Sequence, residues 1–301
     1  MSVSSGLFRG LCAFPLTPTD ADGTVRREAL AGLVRRLGAA AVDSVCVLGS
    51  TGTFAYLDRR ARRAAIESAA AELGGRVPLM AGVGALRTED AVLFAQDAAA
   101  IGADALLLPA MSYTPLVDEE VLALAAAVCA ATALPVCFYD NPSTTRFAAT
   151  PVLAGRLAGL PTLKAMKLPA PPPREVGAQL DAFRACVPAG FSLGHSVDWH
   201  AAGALAAGSD GWYSVLAGLF PEICLAMLAA VREEDVGEMD ILDRRLRPLW
   251  AQFRTHGSLR VVHAAAEILG LCPSILPRPL LPLPDAARQE VVQALRHAGL
   301  A

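Results

Sequence analysis

Lysine is nearly absent from this chain. Of its 26 basic residues only two are lysines, Lys164 and Lys167, and the rest are arginine. A surplus of positive charge is missing too: the formal net charge is -3. With no basic footprint, neither nucleic acid nor an anionic membrane is indicated as a partner. No apolar run approaches the roughly 18 residues needed to span a bilayer, and no membrane partner is expected. The opening MSVSSGLFRGLCAFPL is too polar for a secretory signal. The seven cysteines are scattered with no CxxC pair, which excludes a disulfide framework and a zinc knuckle. Their settings, such as SVCVL and PVCFY, are those of buried thiols in a reducing compartment, so the cytoplasm is the expected location. HExxH, Walker A and GxSxG motifs are all lacking. GVGALR at 82–87 lacks the third glycine of a dinucleotide fingerprint and is a simple strand-to-helix turn.

What the chain does have is alternation. Short apolar, β-branched runs at 8–14, 44–48, 78–81, 105–108, 136–139, 163–167, 192–194 and 211–215 predict strands. Amphipathic, alanine-rich stretches near 26–39, 58–73, 88–100, 117–131, 150–158, 173–184, 197–207 and 219–231 predict helices, with starts at Asp58 and Thr88. Eight strand–helix units predict an α/β fold, a (β/α)8 TIM barrel over residues 1–235. Beyond it, helices near 238–255, 259–269 and 285–298 and the proline-rich loop 272–284 predict a C-terminal helical extension, residues 236–301, packed on the barrel.

In such a barrel the reactive groups stand at the C-terminal strand ends. Lys164 and Lys167 are an odd number of residues apart, so one regular strand would send them to opposite faces. Lys167 lies at the end of its strand, before LPAPPP, and is the better nucleophile; arginine, always protonated, cannot be one. Tyr139 ends another strand, in YDNPSTT, and LGSTGT at 48–53 ends a third. That last turn joins small residues, hydroxyls and exposed backbone N–H groups, a cradle for a carboxylate. An amine, a phenol and a carboxylate cradle are what Schiff-base chemistry on a 2-oxo acid needs.

These segments resemble the dihydrodipicolinate synthase / N-acetylneuraminate lyase family of pyruvate-type class I aldolases over essentially the whole chain. The likeness runs through GLFRGLCAFPLTPTDADG, LGSTGT, GADALLLPAMSYTP, FYDNPSTT, TLKAMK and GSDGWYSV, and the 28 residues from Tyr139 to Lys167 suit its pattern. The resemblance implies an imine between Lys167 and a small-molecule 2-oxo acid, with no other cofactor and no metal. It implies Tyr139 as proton shuttle and Ser50 as a relay hydroxyl. Tyr113 would complete the relay across a subunit interface in a homotetramer built as a dimer of dimers. Gly49, Thr51, Gly52, Thr144 and the Tyr213 backbone would line the substrate.

The departures from the family pattern fall elsewhere. Thr53 replaces a glutamate, and Thr144 replaces an arginine that grips the second substrate, with Arg146 two residues away. His195 and Ser196 stand where acidic residues are usual. The imine machinery is thus expected intact beside an altered second-substrate pocket. That favours a divergent lyase acting on a sugar-acid-like or other 2-oxo acid over 4-hydroxy-tetrahydrodipicolinate synthase proper. Two rivals are a metal site from His195, Asp198 and His200, and a non-catalytic keto acid or sugar-acid binding protein on the same fold.

Overall fold

The structure, a computed structural model, describes residues 6–273 and 275–301. The first five residues of the opening segment weighed as a signal, and Ser274 of the proline-rich loop, lie outside it. Eight parallel strands close in chain order into a barrel: β1 (Gly10–Ala13), β2 (Ser44–Val47), β3 (Leu79–Gly82), β4 (Ala105–Pro109), β5 (Val136–Tyr139), β6 (Leu163–Pro169), β7 (Ser192–Ser196) and β8 (Gly211–Ser214). Closure is by β8 against β1, with Cys12 opposite Tyr213. The outer ring and tail comprise α1 (Arg27–Ala39), α2 (Arg59–Leu73), α3 (Thr88–Ile101), α4 (Asp118–Ala131), a one-turn α5 (Pro142–Thr145), α6 (Pro151–Ala158), α7 (Pro173–Arg184), α8 (Ala201–Ala206), α9 (Pro221–Arg232), α10 (Val236–His256), α11 (Ser258–Ile268) and α12 (Asp285–His297). The predicted (β/α)8 barrel is what forms.

Strand alternation divides the core in two. On β2, Val45 and Val47 face the helices while Cys46 faces the lumen; on β5, Val136 and Phe138 face out while Cys137 and Tyr139 face in. The outer layer takes its apolar stripes from helical spacing, as Leu30, Leu33, Val34 and Leu37 do on α1. Each such side chain contributes about 1.5–3 kcal/mol by burial. Inside, Cys12, Cys46, Met80, Leu107 and Cys137 plug the lumen, so the barrel is a packed support and not a pore. All seven cysteines are free and six are buried, whereas Cys186 is exposed, an exception to the expectation of buried thiols.

Two local departures matter for the site. Val136 and Cys137, adjacent on β5, pair with Leu163 and Ala165 of β6, so a bulge falls at Lys164. Lys164 is therefore extruded at the N-terminal end of the barrel, beside a separate cavity of about 440 Å³ that Arg9 and Ser192 also line. The simple two-face alternation expected for the two lysines assumed a regular strand; the bulge separates them instead. At the other end, α10 packs on α9 and carries α11 and α12, and the first turn of α11 reaches the C-terminal mouth.

Candidate active site

Lys167 enters from β6 in register with Tyr139 of β5 and Gly194 of β7. Only 3% of it is exposed. Its Nζ lies 4.0 Å from the Phe14 ring centroid, 3.9 Å from that of Tyr139 and 5.9 Å from that of Tyr213. The amine is therefore boxed by aromatic faces, which hold a charged amine by cation–π attraction and exclude water from a neutral one. Tyr213 and Phe14 meet edge to face, with centroids 6.2 Å apart. A Cβ on Gly194 would stand 2.5 Å from the Tyr213 ring, so only glycine at this position lets that ring lie beside the lysine.

Above the lysine opens a cavity of about 320 Å³. Phe14, Ser50, Thr51, Tyr139, Thr144, Ser196 and Asp198 contribute to its wall, with Gly257, Ser258 and Leu259 closing it from the C-terminal helices. A second cavity of about 290 Å³ adjoins it through Ser50, Tyr139, Thr144 and Leu259, and is bounded further out by Thr53, Tyr56, Met111 and Arg260.

The turn after β2 carries backbone strain that close packing holds in place. Leu48 and Thr53 both have left-handed backbone, at φ 59° and 53°. Such a conformation costs a non-glycine residue about 1–2 kcal/mol, and strain of this kind gathers at functional sites. Arg146 and Val197 share it at the same mouth, so four of the six such residues described belong to this end of the barrel. Gly49 accepts the Phe14 ring where a Cβ would stand 2.5 Å from it. Gly52 is also close-packed, a Cβ there standing 2.8 Å from Thr17 Oγ1 and 3.1 Å from the Leu48 backbone nitrogen. Of the turn's predicted site residues, Ser50 and Thr51 line the lysine cavity, while Gly49 and Gly52 shape the turn behind them.

Other predicted residues are placed differently. Tyr213 is fully buried in the lumen, its hydroxyl 3.5 Å from Cys137 Sγ, and Val215 lines the cavity in its stead. Tyr113 is 90% exposed on the loop after β4, outside its own chain's cavity. Thr144 borders both cavities, but Arg146 is exposed and lines neither. His195 was expected among the changes to the pocket; instead it faces outward. Its Nδ1 is 2.8 Å from Ser209 Oγ and its Nε2 is 3.0 Å from Gln179 Oε1 of α7, because Gly194 takes the inward place on β7. Burial pushes the His195 imidazole down to about 4. The three groups weighed as metal ligands diverge. Asp198 accepts from Trp212 Nε1 at 2.8 Å and from the Val215 and Leu216 amides at 3.1 and 3.0 Å, and His200 Nδ1 is 2.9 Å from the Ala170 carbonyl. Burial raises the Asp198 carboxyl above its ordinary range, although these donors pull it back.

Sequence reasoning missed Phe14, Asp198 as a cavity wall, and the α11 contribution. Phe14 ends the first predicted strand, so the strand-end rule that picked Tyr139 and Lys167 would have found it. No local signal places α11 at the mouth.

The model of the dihydrodipicolinate synthetase family matches residues 7–298. The chain belongs to that family. As a member it is a class I lyase of the pyruvate-dependent aldolase type. It is 31% identical over 295 residues to a 4-hydroxy-tetrahydrodipicolinate synthase of Saccharophagus degradans, spanning 98% of this chain and 100% of the relative. A solved dihydrodipicolinate synthase of Agrobacterium tumefaciens superposes with a TM-score of 0.96 at 49% identity, covering 99% of each chain. A chloride-inhibited dihydrodipicolinate synthase of Acinetobacter baumannii, solved with pyruvate, is similar at a TM-score of 0.89 and 25% identity over 98% of this chain and 100% of its own. Among the described residues no helix is long and apolar enough to cross a membrane. Membership in an enzyme family also sets aside the reading of a pure binding protein.

Proposed function

We propose that Lys167 forms an imine with pyruvate or a related 2-oxo acid, and that the bond made or broken lies beside the resulting enamine. Nζ attacks the C2 carbonyl and water leaves. The protonated imine then accepts the electron pair of a C3–H bond, or of the C3–C4 bond in cleavage, as an electron sink. In synthesis the enamine C3 attacks the carbonyl carbon of a second substrate and the imine is hydrolysed to release product. No external cofactor is required.

Tyr139, the side chain in register with Lys167, moves the proton to and from the substrate oxygen. Ser50 relays it from the cavity wall, and Thr51 with its neighbouring amides holds the 2-oxo acid carboxylate. Tyr113 of a second subunit completes the relay in a homotetramer of paired dimers. The single observation that carries this reading is the amine itself: buried at the cavity floor, boxed by rings and next to a phenol. The free cysteines favour a cytoplasmic setting.

Thr144 and Ser196 on the cavity wall, with Thr53 further out, favour a divergent substrate, a sugar-acid-like or other 2-oxo acid. The relatives favour a second reading, 4-hydroxy-tetrahydrodipicolinate synthase itself. The test begins with pyruvate and borohydride. One reduced adduct is expected, mapping to Lys167 and absent from Lys167→Ala. An adduct on Lys164, or none with any small 2-oxo acid, overturns the proposal. Production of 4-hydroxy-tetrahydrodipicolinate at a rate typical of synthases would decide for the second reading.

A further inference from the structure

Arg260 is the one charged side chain among the described residues that line the cavity adjoining the lysine site. It is half-buried, and no hydrogen bond or ion pair ties it to another described residue. It stands in the first turn of α11, which has no acidic residue there. A cation at the positive end of a helix is disfavoured, and an anion bound beside it would relieve that cost. Its Nη1 lies 3.9 Å from where a Cβ of Gly257 would be, and Gly257 is part of the lysine cavity wall. The guanidinium therefore sits where the two spaces join, with Ser50, Tyr139 and Thr144 common to both.

We propose that Arg260 is a specificity-determining residue that receives a carboxylate at the far end of the substrate chain, so that the enzyme acts on 2-oxo acids carrying a second acid group. This rests on the imine assignment to Lys167. One end of the substrate is fixed covalently at Nζ, and its 1-carboxylate lies by Thr51. The growing chain can then enter the adjoining cavity, where the one charged side chain among the described lining residues is Arg260. A guanidinium matches a carboxylate with two parallel N–H···O bonds. A single cation with otherwise neutral walls suits one negative charge better than the two of a phosphate monoester. Nothing on α5 supplies this contact, because Thr144 carries no charge and Arg146 points elsewhere.

The test uses borohydride trapping on the whole protein and compares 2-oxoglutarate and 2-oxoadipate with neutral 2-oxopentanoate and 2-oxohexanoate. The wild type should reach half-maximal adduct at a concentration roughly ten- to a hundredfold lower for at least one diacid than for its neutral counterpart, the range expected of hydrogen bonds to a charged group. Arg260→Met should erase that preference while leaving the pyruvate adduct unchanged, which also shows that the variant is folded. Arg260→Lys should keep part of it, having charge without the fork. A wild type indifferent to the second acid group, or an Arg260→Met variant that retains the preference, overturns the proposal. Absence of any pyruvate adduct in the wild type instead overturns the imine assignment, and this proposal with it.

Discussion

Tyr139 and Lys167 are paired in register across β5 and β6, with the amine nitrogen 3.9 Å from the phenol ring centroid. The ring of that tyrosine walls the amine, and under the proposed function its hydroxyl is the proton carrier. Tyr139→Phe keeps the wall and removes the carrier. Turnover should fall by about 100- to 10,000-fold, the usual contribution of a positioned acid–base group. Borohydride trapping of pyruvate on Lys167 should persist at a measurable rate. Near-normal turnover in this variant would remove Tyr139 from the proton path.

Much of this pair was legible in the chain, because both residues end short apolar runs and barrel strands put their reactive side chains at such ends. The bounds of β5 match those expected, and Tyr139 follows from them. Other features needed three dimensions. The bulge at Lys164 leaves no trace in an apolar run, and it alters which face each residue of β6 takes. His195 was misplaced for a simpler reason: counting outward from Gly194, alternation alone would have sent it to the helices. Arg260 was out of reach, since α11 is brought to the mouth by packing on α10, which itself packs on α9, and not through any local pattern.

Gly49 gives the sharpest steric test of the turn. A methyl group there would stand 2.5 Å from Phe14 Cδ1, so Phe14 or the Ser50–Thr51 turn must move. Gly49→Ala should lower stability by about 1–3 kcal/mol, as overpacking does. Urea unfolding would show it as a shift in midpoint with an unchanged slope. Activity should fall by more than the loss of folded protein explains, because Phe14 is also a wall of the Lys167 box. Wild-type stability in this variant would mean that the turn is slack.

His195 sets an acid limit on stability. Its imidazole is lowered to about 4 from an ordinary 6.5 by burial, foremost, and by Arg184. Below pH 6.5 the unfolded chain takes up a proton that the folded chain refuses, so stability falls as pH drops from 6.5 towards 4. The shift corresponds to about 3 kcal/mol in full. Asp140, raised to about 6 by burial, acts in the opposite sense, its folded form gaining stability as pH falls below 6. The comparison that isolates His195 is therefore wild type against His195→Asn, in which Asp140 cancels. The stability gap between the two should shift in favour of the variant on going from pH 7 to pH 4.5. A gap that stays constant over this range would show that the folded chain protonates His195 as readily as the unfolded one.

Tyr113 poses the question of the second subunit. It lies 90% exposed on a loop at the rim and away from its own cavity, so within one chain it has no catalytic use. If it serves a neighbour, two defective chains should repair each other. Tyr113→Phe lacks the relay it donates, and Lys167→Ala lacks the amine but still donates Tyr113. In an isologous dimer, each hybrid holds one site with both defects and one with neither. Co-expressed at equal levels, half of the dimers are hybrids with one good site in two, so about a quarter of wild-type activity should return. Lys167→Ala alone should show none, and Tyr113→Phe alone should be much weaker than the mixture. A mixture no more active than the average of its parents would place Tyr113 outside the reaction, and a fully active Tyr113→Phe would do so directly.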